Sequence, residues 1–386
     1  MRCLWLFTVP ALLAAGQATT GTFEANPATI LANGKLTVTI LKQGAGFAAI
    51  TLADDPGKLN PLWEPMRMSR ELGRPATFNP GSGHFICVDG FGPVSADERE
   101  AGLQGHGEAH LELFDVQMAA GKAEATMTAK LPIVQEQFTR TVRMVDGENV
   151  VYVDSVLQNL LGFDRPVNWA EHATAGSPFV ESGVTVIDVS GSRSQTRPYA
   201  VGGGRGGQPQ SDRRLARGVD FTWPIAPGTA GGTVDMRQIP ENAHYIDHAA
   251  TLLDPARQLE WVTALNPKLH LVLGYVFRRD EYPWLQTWGN YPATGKFSRG
   301  MEFGTQPYDV SRREAISTGQ MFGTPTYRWL PAKGKIESRF VMFYAAVPEG
   351  FKKVDDVRVE NGQIVIEDKA AGKSLRLAAS LAGRLQ

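Results

Sequence analysis

Three segments that lie far apart in the chain contain side chains able to transfer protons. His106 lies between two glycines, His172 follows Glu171 and precedes a run of small residues, and Glu302 is flanked by apolar residues. A neutral imidazole and an ionised carboxylate can exchange protons near pH 7. The sequence therefore predicts an acid–base pair formed by His172 and Glu302.

Each of these residues also allows an alternative interpretation. The glycines beside His106 permit a close approach of the backbone to another group, but they are equally typical of a surface turn. The small residues after His172 leave room for a ligand. The apolar setting of Glu302 predicts a raised pKa, whereas an ion pair with Arg299 would make this carboxylate structural.

An aromatic segment, residues 282–292, precedes Glu302. Aromatic rings stack on the C–H faces of sugars, and amide side chains bind hydroxyl groups, so the segment predicts a carbohydrate-binding surface. Its candidate contacts are Trp288, Asn290 and Tyr291. The same residues could instead be core aromatics beside a turn.

Other polar residues give weaker indications. His110 lies four residues after His106, but the helical pattern and the glutamate of a zinc motif are missing, so we expect no metal site there. His244 and His248, with Asp247 between them, lie either at a cleft or on a surface loop. The glycine-rich run 202–209 lacks the Lys-Ser/Thr of a phosphate-binding loop and is interpreted as a surface loop that could flank a cleft.

Alternation of polar and apolar residues dominates the chain and predicts half-buried strands. A turn at residues 146–149 joins two alternating segments and predicts a hairpin. Frequent glycines and prolines, 41 and 24 in number, separate many short segments, and long helical patterns are scarce. The expected fold is all-β, a large antiparallel β-sandwich. Strands are expected over residues 35–41, 109–116, 123–129, 138–145, 150–157, 183–189, 269–277, 338–345 and 363–367, with one last hairpin and a frayed end after residue 352.

The composition limits the classes of function and the number of domains. Of the 386 residues, 42% are hydrophobic, and 39 basic side chains balance 40 acidic ones. This balance argues against a nucleic acid partner. With no repeat and no Pro/Ser-rich linker, residues 19–386 are expected to form a single β-sandwich domain.

The N-terminus has the pattern of a secretory signal peptide. Residues 1–18 combine an early arginine, an apolar stretch too short to span a bilayer and a small-residue cleavage site after Ala18. We therefore expect a secreted or periplasmic protein. Cleavage would leave Cys87 as the only cysteine, which excludes an intrachain disulfide, and no later stretch predicts a membrane span.

The order and spacing of these segments resemble the galactose mutarotase-like superfamily, which includes aldose 1-epimerases and hexose-6-phosphate epimerases. The segment from His106 to His110 is similar to the His-Gly-x-Ala-Arg block of the hexose-phosphate branch, with His110 in place of the arginine. Glu171-His172 looks like the second histidine block, and the segment around Glu302 looks like the glutamate block. The resemblance covers residues 21–350.

The resemblance implies a supersandwich fold with a mono- or oligosaccharide in an open cleft, and no cofactor. By this resemblance Glu302 takes the proton of the C1 hydroxyl, His172 protonates the ring oxygen, and His106 binds hydroxyl groups. His172 and Glu302 are then expected to face each other across a gap one sugar ring wide. The ring opens, and its reclosure gives the other anomer. Asp247 is the candidate for the sugar-contacting aspartate of the family, and His110 in place of the arginine argues against a phosphorylated substrate.

Two other classes of function share this fold. One is a carbohydrate-binding protein without turnover. The other is a polysaccharide lyase or hydrolase. A glycosidase would need a second carboxyl facing the scissile bond, and Glu171 or Glu108 could supply it beside Glu302.

Overall fold

The computed structural model describes residues 16–198, 214–240 and 245–386. The glycine-rich run 202–209, His244 and all but the last three residues of the expected signal peptide lie outside these ranges. The expected cleavage point after Ala18 lies two residues into the first strand. No helix in the described ranges is long and apolar enough to cross a membrane.

Short strands make up most of the described chain. Those of the first half are β1 (Gln17–Phe23), β2 (Asn26–Ala32), β3 (Leu36–Leu41), β4 (Phe47–Leu52), β5 (His84–Val88), β6 (Asp115–Met118), β7 (Glu124–Leu131), β8 (Glu136–Met144), β9 (Val150–Asn159), β10 (Arg165–Val167), β11 (Trp169–Gly176), β12 (Val186–Val189) and β13 (Arg193–Thr196). Those of the second half are β14 (Asp220–Thr222), β15 (Ile225–Pro227), β16 (Thr233–Asp235), β17 (Tyr245–Leu252), β18 (Leu259–Asn266), β19 (Leu271–Arg278), β20 (Trp284–Tyr291), β21 (Ser298–Gly304), β22 (Gln320–Met321), β23 (Thr324–Pro325), β24 (Arg328–Leu330), β25 (Lys335–Ala346), β26 (Asp356–Glu360), β27 (Gln363–Asp368) and β28 (Lys373–Ala378).

The helices are short and lie between strands. They are α1 (Pro65–Glu71), α2 (Ala96–Glu100), α3 (Arg312–Thr318) and two 3₁₀ helices, Ala109–Leu111 and Ala382–Leu385. Helix α2 begins with a capping box, in which the Ser95 side chain accepts from the Glu98 backbone N–H and the Glu98 carboxylate accepts from the Ser95 backbone N–H.

Two large antiparallel sheets form the body of the molecule. We call the 13-stranded sheet, in the order β1-β2-β3-β4-β5-β11-β21-β20-β17-β13-β14-β15-β16, the large sheet. The eight-stranded sheet, in the order β12-β18-β19-β25-β9-β8-β7-β6, is the facing sheet. The hairpin expected around residues 146–149 is present, because β8 pairs with β9 along its whole length.

The core lies between these two sheets, where side chains of both interdigitate. The rings of Phe303 on the large sheet and Phe277 on the facing sheet stack with their centroids 4.2 Å apart. The alternation of apolar and polar residues along the strands explains how this core forms, since every second residue of β8 is buried. The expected fold, a large antiparallel β-sandwich, is confirmed.

A third sheet, formed by β26, β27 and β28, follows the sandwich in the chain. Its apolar residues form a second core with the outer face of the facing sheet, where Trp261 and Phe343 are buried against Ile364 and Ile366. The expected hairpin after residue 352 is present as β26 and β27. The expected frayed end was wrong, because the chain continues into β28. The alternation of residues 373–378 is hidden by their charged side chains, but the strand buries Leu377.

Candidate functional site

Four neighbouring strands of the large sheet position the candidate site. In the order β11-β21-β20-β17 they place cross-strand partners on one face, because directly opposed residues in antiparallel strands point to the same side. Gln286 on β20 is opposite Glu302 on β21, and His172 on β11 is opposite Phe85 on β5. This face of the large sheet, turned away from the core, is called the site face below.

His172 and Glu302 are in direct contact on the site face. His172 Nε2 lies 3.1 Å from Glu302 Oε1, and the two side chains are 12% and 1% exposed. His172 Nδ1 lies 3.1 Å from the Thr174 hydroxyl. The pair was expected to face each other across the width of a sugar ring, but their side chains touch.

The carboxylate of Glu302 is only half satisfied. Gln286 Nε2 donates to Glu302 Oε2 over 2.9 Å. Glu302 Oε1 has no aligned hydrogen bond among the described residues, despite its contact with His172. A buried carboxylate oxygen without a donor is a place where a ligand hydroxyl would be favoured.

Burial controls the protonation of this pair. Loss of hydration, followed by the charge of Asp309, holds the pKa of Glu302 well above its ordinary value. Burial holds the pKa of His172 well below its ordinary value. Gly300 makes room for the carboxylate, because a Cβ at this position would lie 2.4 Å from Glu302 Oε1.

His106 belongs to the same site. Its ring centroid lies 5.1 Å from that of His172, and Phe85 stacks on His172 at 4.2 Å. His106 Nδ1 accepts from the Gly92 backbone N–H over 3.3 Å, so the neutral ring carries its proton on Nε2. Burial lowers the pKa of His106 to about 4.

The backbone conformation and the close packing at position 107 explain why a glycine follows His106. Gly107 has a φ of +78° and lies so close to β5 that a Cβ would meet the Val88 carbonyl oxygen at 1.9 Å. His106 itself has a φ of +68°. The expected close backbone approach at this segment is therefore present, and it brings the histidine against the site face.

His110 lies at the margin of this group. Its ring centroid is 5.4 Å from that of Phe85 and 6.3 Å from that of His106. Burial lowers its pKa to about 3. The strand expected over residues 109–116 was wrong at its start, because Ala109–Leu111 form a 3₁₀ helix and β6 begins only at Asp115. Apolar residues at every second position fit one tight turn as well as a strand.

The remaining predicted contacts divide between the two faces of the large sheet. Trp288 and Asn290 lie on the site face and are partly exposed, and the Trp288 ring lies 6.4 Å from that of His172. Tyr291 and Asp247 face the core. The side chain of Asp247 pairs with Arg214 over 2.5 Å.

Asp247 and Tyr291 therefore lie away from His172 and Glu302. The Tyr291 hydroxyl accepts from Arg299 Nη1 over 2.6 Å, so Arg299 also belongs to the core side and does not pair with Glu302. The alternation of β17 and β20 could have indicated this separation, because one-residue steps along a strand change the face.

The two carboxyls considered as partners of Glu302 also lie elsewhere. Glu171 faces the core, where Arg140 lies 2.5 Å and His84 lies 2.9 Å from its oxygens. Glu108 accepts from the backbone N–H groups of residues 133 and 134. Neither contacts Glu302.

Three further residues extend the site beyond Gln286. The sequence left His248 open between a cleft and a surface loop, and it did not indicate Asp309 or Arg197. Gln286 Nε2 lies 3.2 Å from His248 Nε2, and His248 Nδ1 lies 3.2 Å from Asp309 Oδ1. Arg197 Nη2 donates to Asp309 over 2.9 Å. Burial raises the pKa of Asp309, but the charges of His248 and Arg197 outweigh this and lower it overall. Register places His248 opposite Trp288, which could have indicated it, whereas Asp309 and Arg197 follow strands and carry no periodic signal.

No group of three or more His, Cys, Asp or Glu side chains in the described ranges has the arrangement of a metal site. The expectation that no cofactor is needed stays a prediction.

Comparisons with known proteins bear on the fold. No family model and no curated protein matches the chain. Among solved structures, a galactose mutarotase-like protein from Clostridium acetobutylicum superposes with a TM-score of 0.56 and 11% identity, over 86% of this chain and 99% of that chain. One from Lactobacillus casei gives 0.54 and 14%, over 82% and 100%. A galactose mutarotase related enzyme from Lactobacillus acidophilus gives 0.54 and 13%, over 84% and 99%.

The chain has the galactose mutarotase-like fold. At 11–14% identity these similarities extend to the fold alone. Within this mutarotase-like fold, His172 and Glu302 lie on β11 and β21, neighbouring strands near the middle of the large sheet.

Proposed function

We propose that this protein interconverts the anomers of a sugar by acid–base ring opening and closure, as an aldose 1-epimerase does. The observation that carries the proposal is the contact of 3.1 Å between His172 Nε2 and Glu302 Oε1 on the site face. Structural neighbours described as galactose mutarotase-like support the choice of reaction.

The contact is shorter than the gap that we expected from the sequence, and it is compatible with this reaction. The C1 hydroxyl oxygen and the ring oxygen of an aldose are bonded to the same carbon atom. An acid and a base that serve these two oxygens can therefore lie close together. Glu302 Oε1 would take the proton of the C1 hydroxyl, and His172 Nε2 would give a proton to the ring oxygen.

The perturbed pKa values support reversible proton transfer. Ring opening starts from ionised Glu302 and protonated His172 and ends with both groups neutral, because one proton enters and one leaves through the sugar. Burial raises the pKa of Glu302 and lowers that of His172, so it favours the neutral forms that ring opening produces. Ring closure then uses the same two groups in reversed roles.

The surroundings provide groups for binding the sugar. Trp288 offers a partly exposed aromatic face 6.4 Å from the ring of His172. His106 offers an Nε2–H donor to a hydroxyl group. The hydrolase alternative lacks support, because Glu171 faces the core and pairs with Arg140, and the Glu108 carboxylate accepts from the backbone N–H groups of residues 133 and 134.

Anomer exchange followed by polarimetry or NMR tests the proposal. We expect Glu302→Gln and His172→Gln each to lower the rate about a hundredfold to ten-thousandfold, the usual contribution of one proton-transfer group. Glu100→Gln, at an exposed site on α2, serves as the matched control. Parental rates in both variants would refute the acid–base roles. Calorimetry that shows saccharide affinity without any exchange by the parent would instead select a binding protein.

We also propose that the protein is exported. The proposal rests on the pattern of residues 1–18 alone. Mass spectrometry of protein secreted by the producing cells should find a chain that begins at Thr19. An intact N-terminus on all of the protein would contradict export by this signal.

A further inference from the structure

A small cavity lies beside the site at the end of the polar chain that starts at Glu302. Glu302 contacts Gln286 over 2.9 Å, Gln286 contacts His248 over 3.2 Å, and His248 lines the cavity. Both contacts are made by Gln286 Nε2, so Glu302 Oε2 and His248 Nε2 lie at most about 6 Å apart. A substituent on the anomeric carbon, or on the carbon next to it, of a sugar held at Glu302 could therefore reach the cavity.

The walls of this cavity favour a negative charge. Arg197, Arg217 and His248 line it together with four uncharged residues, and no carboxylate is among the lining side chains in the described ranges. Arg217 is exposed and has no ion-pair partner among the described residues. Guanidinium groups bind carboxylates and related oxyanions with paired hydrogen bonds.

Arg197 supplies an independent indication of a ligand. This residue is only 7% exposed, and its Nε and Nη1 have no hydrogen-bond partner in the part of the chain that the structure describes. Its single carboxylate contact, to Asp309, uses Nη2. Buried guanidinium N–H groups without an acceptor are costly, so an acceptor is expected beside them.

The size and position of the cavity limit the ligand. The cavity has a volume of about 20 Å³, and one buried water needs about 10–15 Å³. Its space suits a single small anionic group and not a second sugar ring. The cavity lies beyond Glu302 on the side away from His172, and so away from the ring oxygen that His172 would protonate.

We propose that the substrate is an acidic sugar whose anionic group is carried by the anomeric carbon or by the carbon next to it, and that Arg197 and Arg217 bind this group. The proposal rests on the proposed function, since that function decides which end of the sugar lies at Glu302. A carboxylate on the anomeric carbon and an N-sulfo group at the neighbouring carbon share the required chemistry, since each presents anionic oxygens to the arginines.

Four sugars separate the alternatives. N-acetylneuraminate carries a carboxylate on its anomeric carbon, and N-sulfoglucosamine carries a sulfo group on the nitrogen bonded to the neighbouring carbon. Glucuronate carries its carboxylate on the ring-oxygen side, and glucose is neutral. In NMR exchange experiments we expect kcat/KM for one of the first two to exceed that for glucose and glucuronate at least tenfold.

Arg217→Ala should lower this preference about tenfold, because one hydrogen-bonded charge pair is lost. Arg99→Ala, an exposed arginine of α2, is the matched control and should keep the parental preference. Equal or better turnover of glucose or glucuronate would overturn the proposal. If no sugar is exchanged at all, the proposed function fails, and calorimetry with the same four sugars then tests the anion site by itself. Selective binding of an acidic sugar that Arg217→Ala weakens supports the anion site. Unselective or absent binding overturns it.

Discussion

The buried ion pair of Glu171 and Arg140 allows a quantitative test of the structure. Both side chains are fully buried between the two large sheets, with Arg140 Nη2 2.5 Å from Glu171 Oε1. His84 Nε2 lies 2.9 Å from the other carboxylate oxygen, and Trp169 Nε1 donates to Oε1 over 3.2 Å. Glu171→Gln would keep the shape and most of these hydrogen bonds but would leave the charge of Arg140 uncompensated.

Removal of one partner of a buried ion pair costs about 3–5 kcal/mol, because the other charge stays buried. We therefore expect Glu171→Gln to lower the free energy of unfolding at pH 7 by that amount. The double variant Arg140→Met/Glu171→Gln removes both charges and should recover most of the loss. Guanidinium chloride unfolding, followed by tryptophan fluorescence, measures both quantities.

Two further measurements make this test specific. Asp97→Asn breaks the ion pair between Asp97 and Arg313, whose side chains are 73% and 68% exposed, respectively. This variant should lower the free energy of unfolding by at most about 1 kcal/mol. Burial raises the pKa of Glu171, but Arg140 and His84 lower it overall. Its contribution to stability is therefore present at neutral pH and lost as the pH falls through the folded-state pKa, so parent and Glu171→Gln should converge in acid.

A loss below about 1 kcal/mol in Glu171→Gln would show that Arg140 is not buried as described, since an exposed pair contributes that little. A double variant as unstable as the sum of the two single variants would show that the two charges do not interact. Either result would refute the assignment of Glu171 to the core side of the large sheet.

Two other predictions concern titrating groups. Burial raises the pKa of Glu260 to about 8 from 4.5. The cost of burying its ionised carboxylate therefore lowers the free energy of unfolding increasingly as the pH rises from 4.5 to 8. Between pH 5 and pH 8 the parent should lose about 3 kcal/mol more unfolding free energy than Glu260→Gln. Equal pH dependence of parent and variant in urea unfolding would contradict the burial of this carboxyl. Because the pKa of His106 is about 4, its imidazole NMR signals should stay those of the neutral ring from pH 8 to pH 5, and a midpoint near 6.5 would contradict its enclosure.

The fold could be predicted because its signal is repeated along the chain. Alternation in segments such as residues 138–145 recurs often enough to predict many antiparallel strands and a large core. Short segments without such repetition were less predictable. Residues 109–111 fit a strand pattern but form one 3₁₀ turn, and the third C-terminal strand, Lys373–Ala378, buries too few side chains to produce a clear alternation.

The part of the site formed by residues in short sequence motifs could be predicted. His106, His172 and Glu302 lie together as expected, and their catalytic and binding roles stay a prediction. Asp247 was placed wrongly, because a strand position one residue away from His248 lies on the opposite face. Asp309 was missed because it lies in a loop and reaches His248 only through tertiary structure.

The two buried glutamates of the large sheet show why one of them transfers protons in our proposal and the other does not. Glu171 and Glu302 lie on neighbouring strands and are almost equally buried. Glu171 has a guanidinium partner 2.5 Å away, so its charge is held and its pKa is lowered. Glu302 contacts an amide donor and an imidazole but no guanidinium, and burial together with the charge of Asp309 raises its pKa. A carboxylate that is held ionised by an arginine does not readily take up a proton, whereas a carboxyl with a raised pKa does. For this reason our proposal places proton transfer at Glu302 on the site face and not at Glu171 in the core.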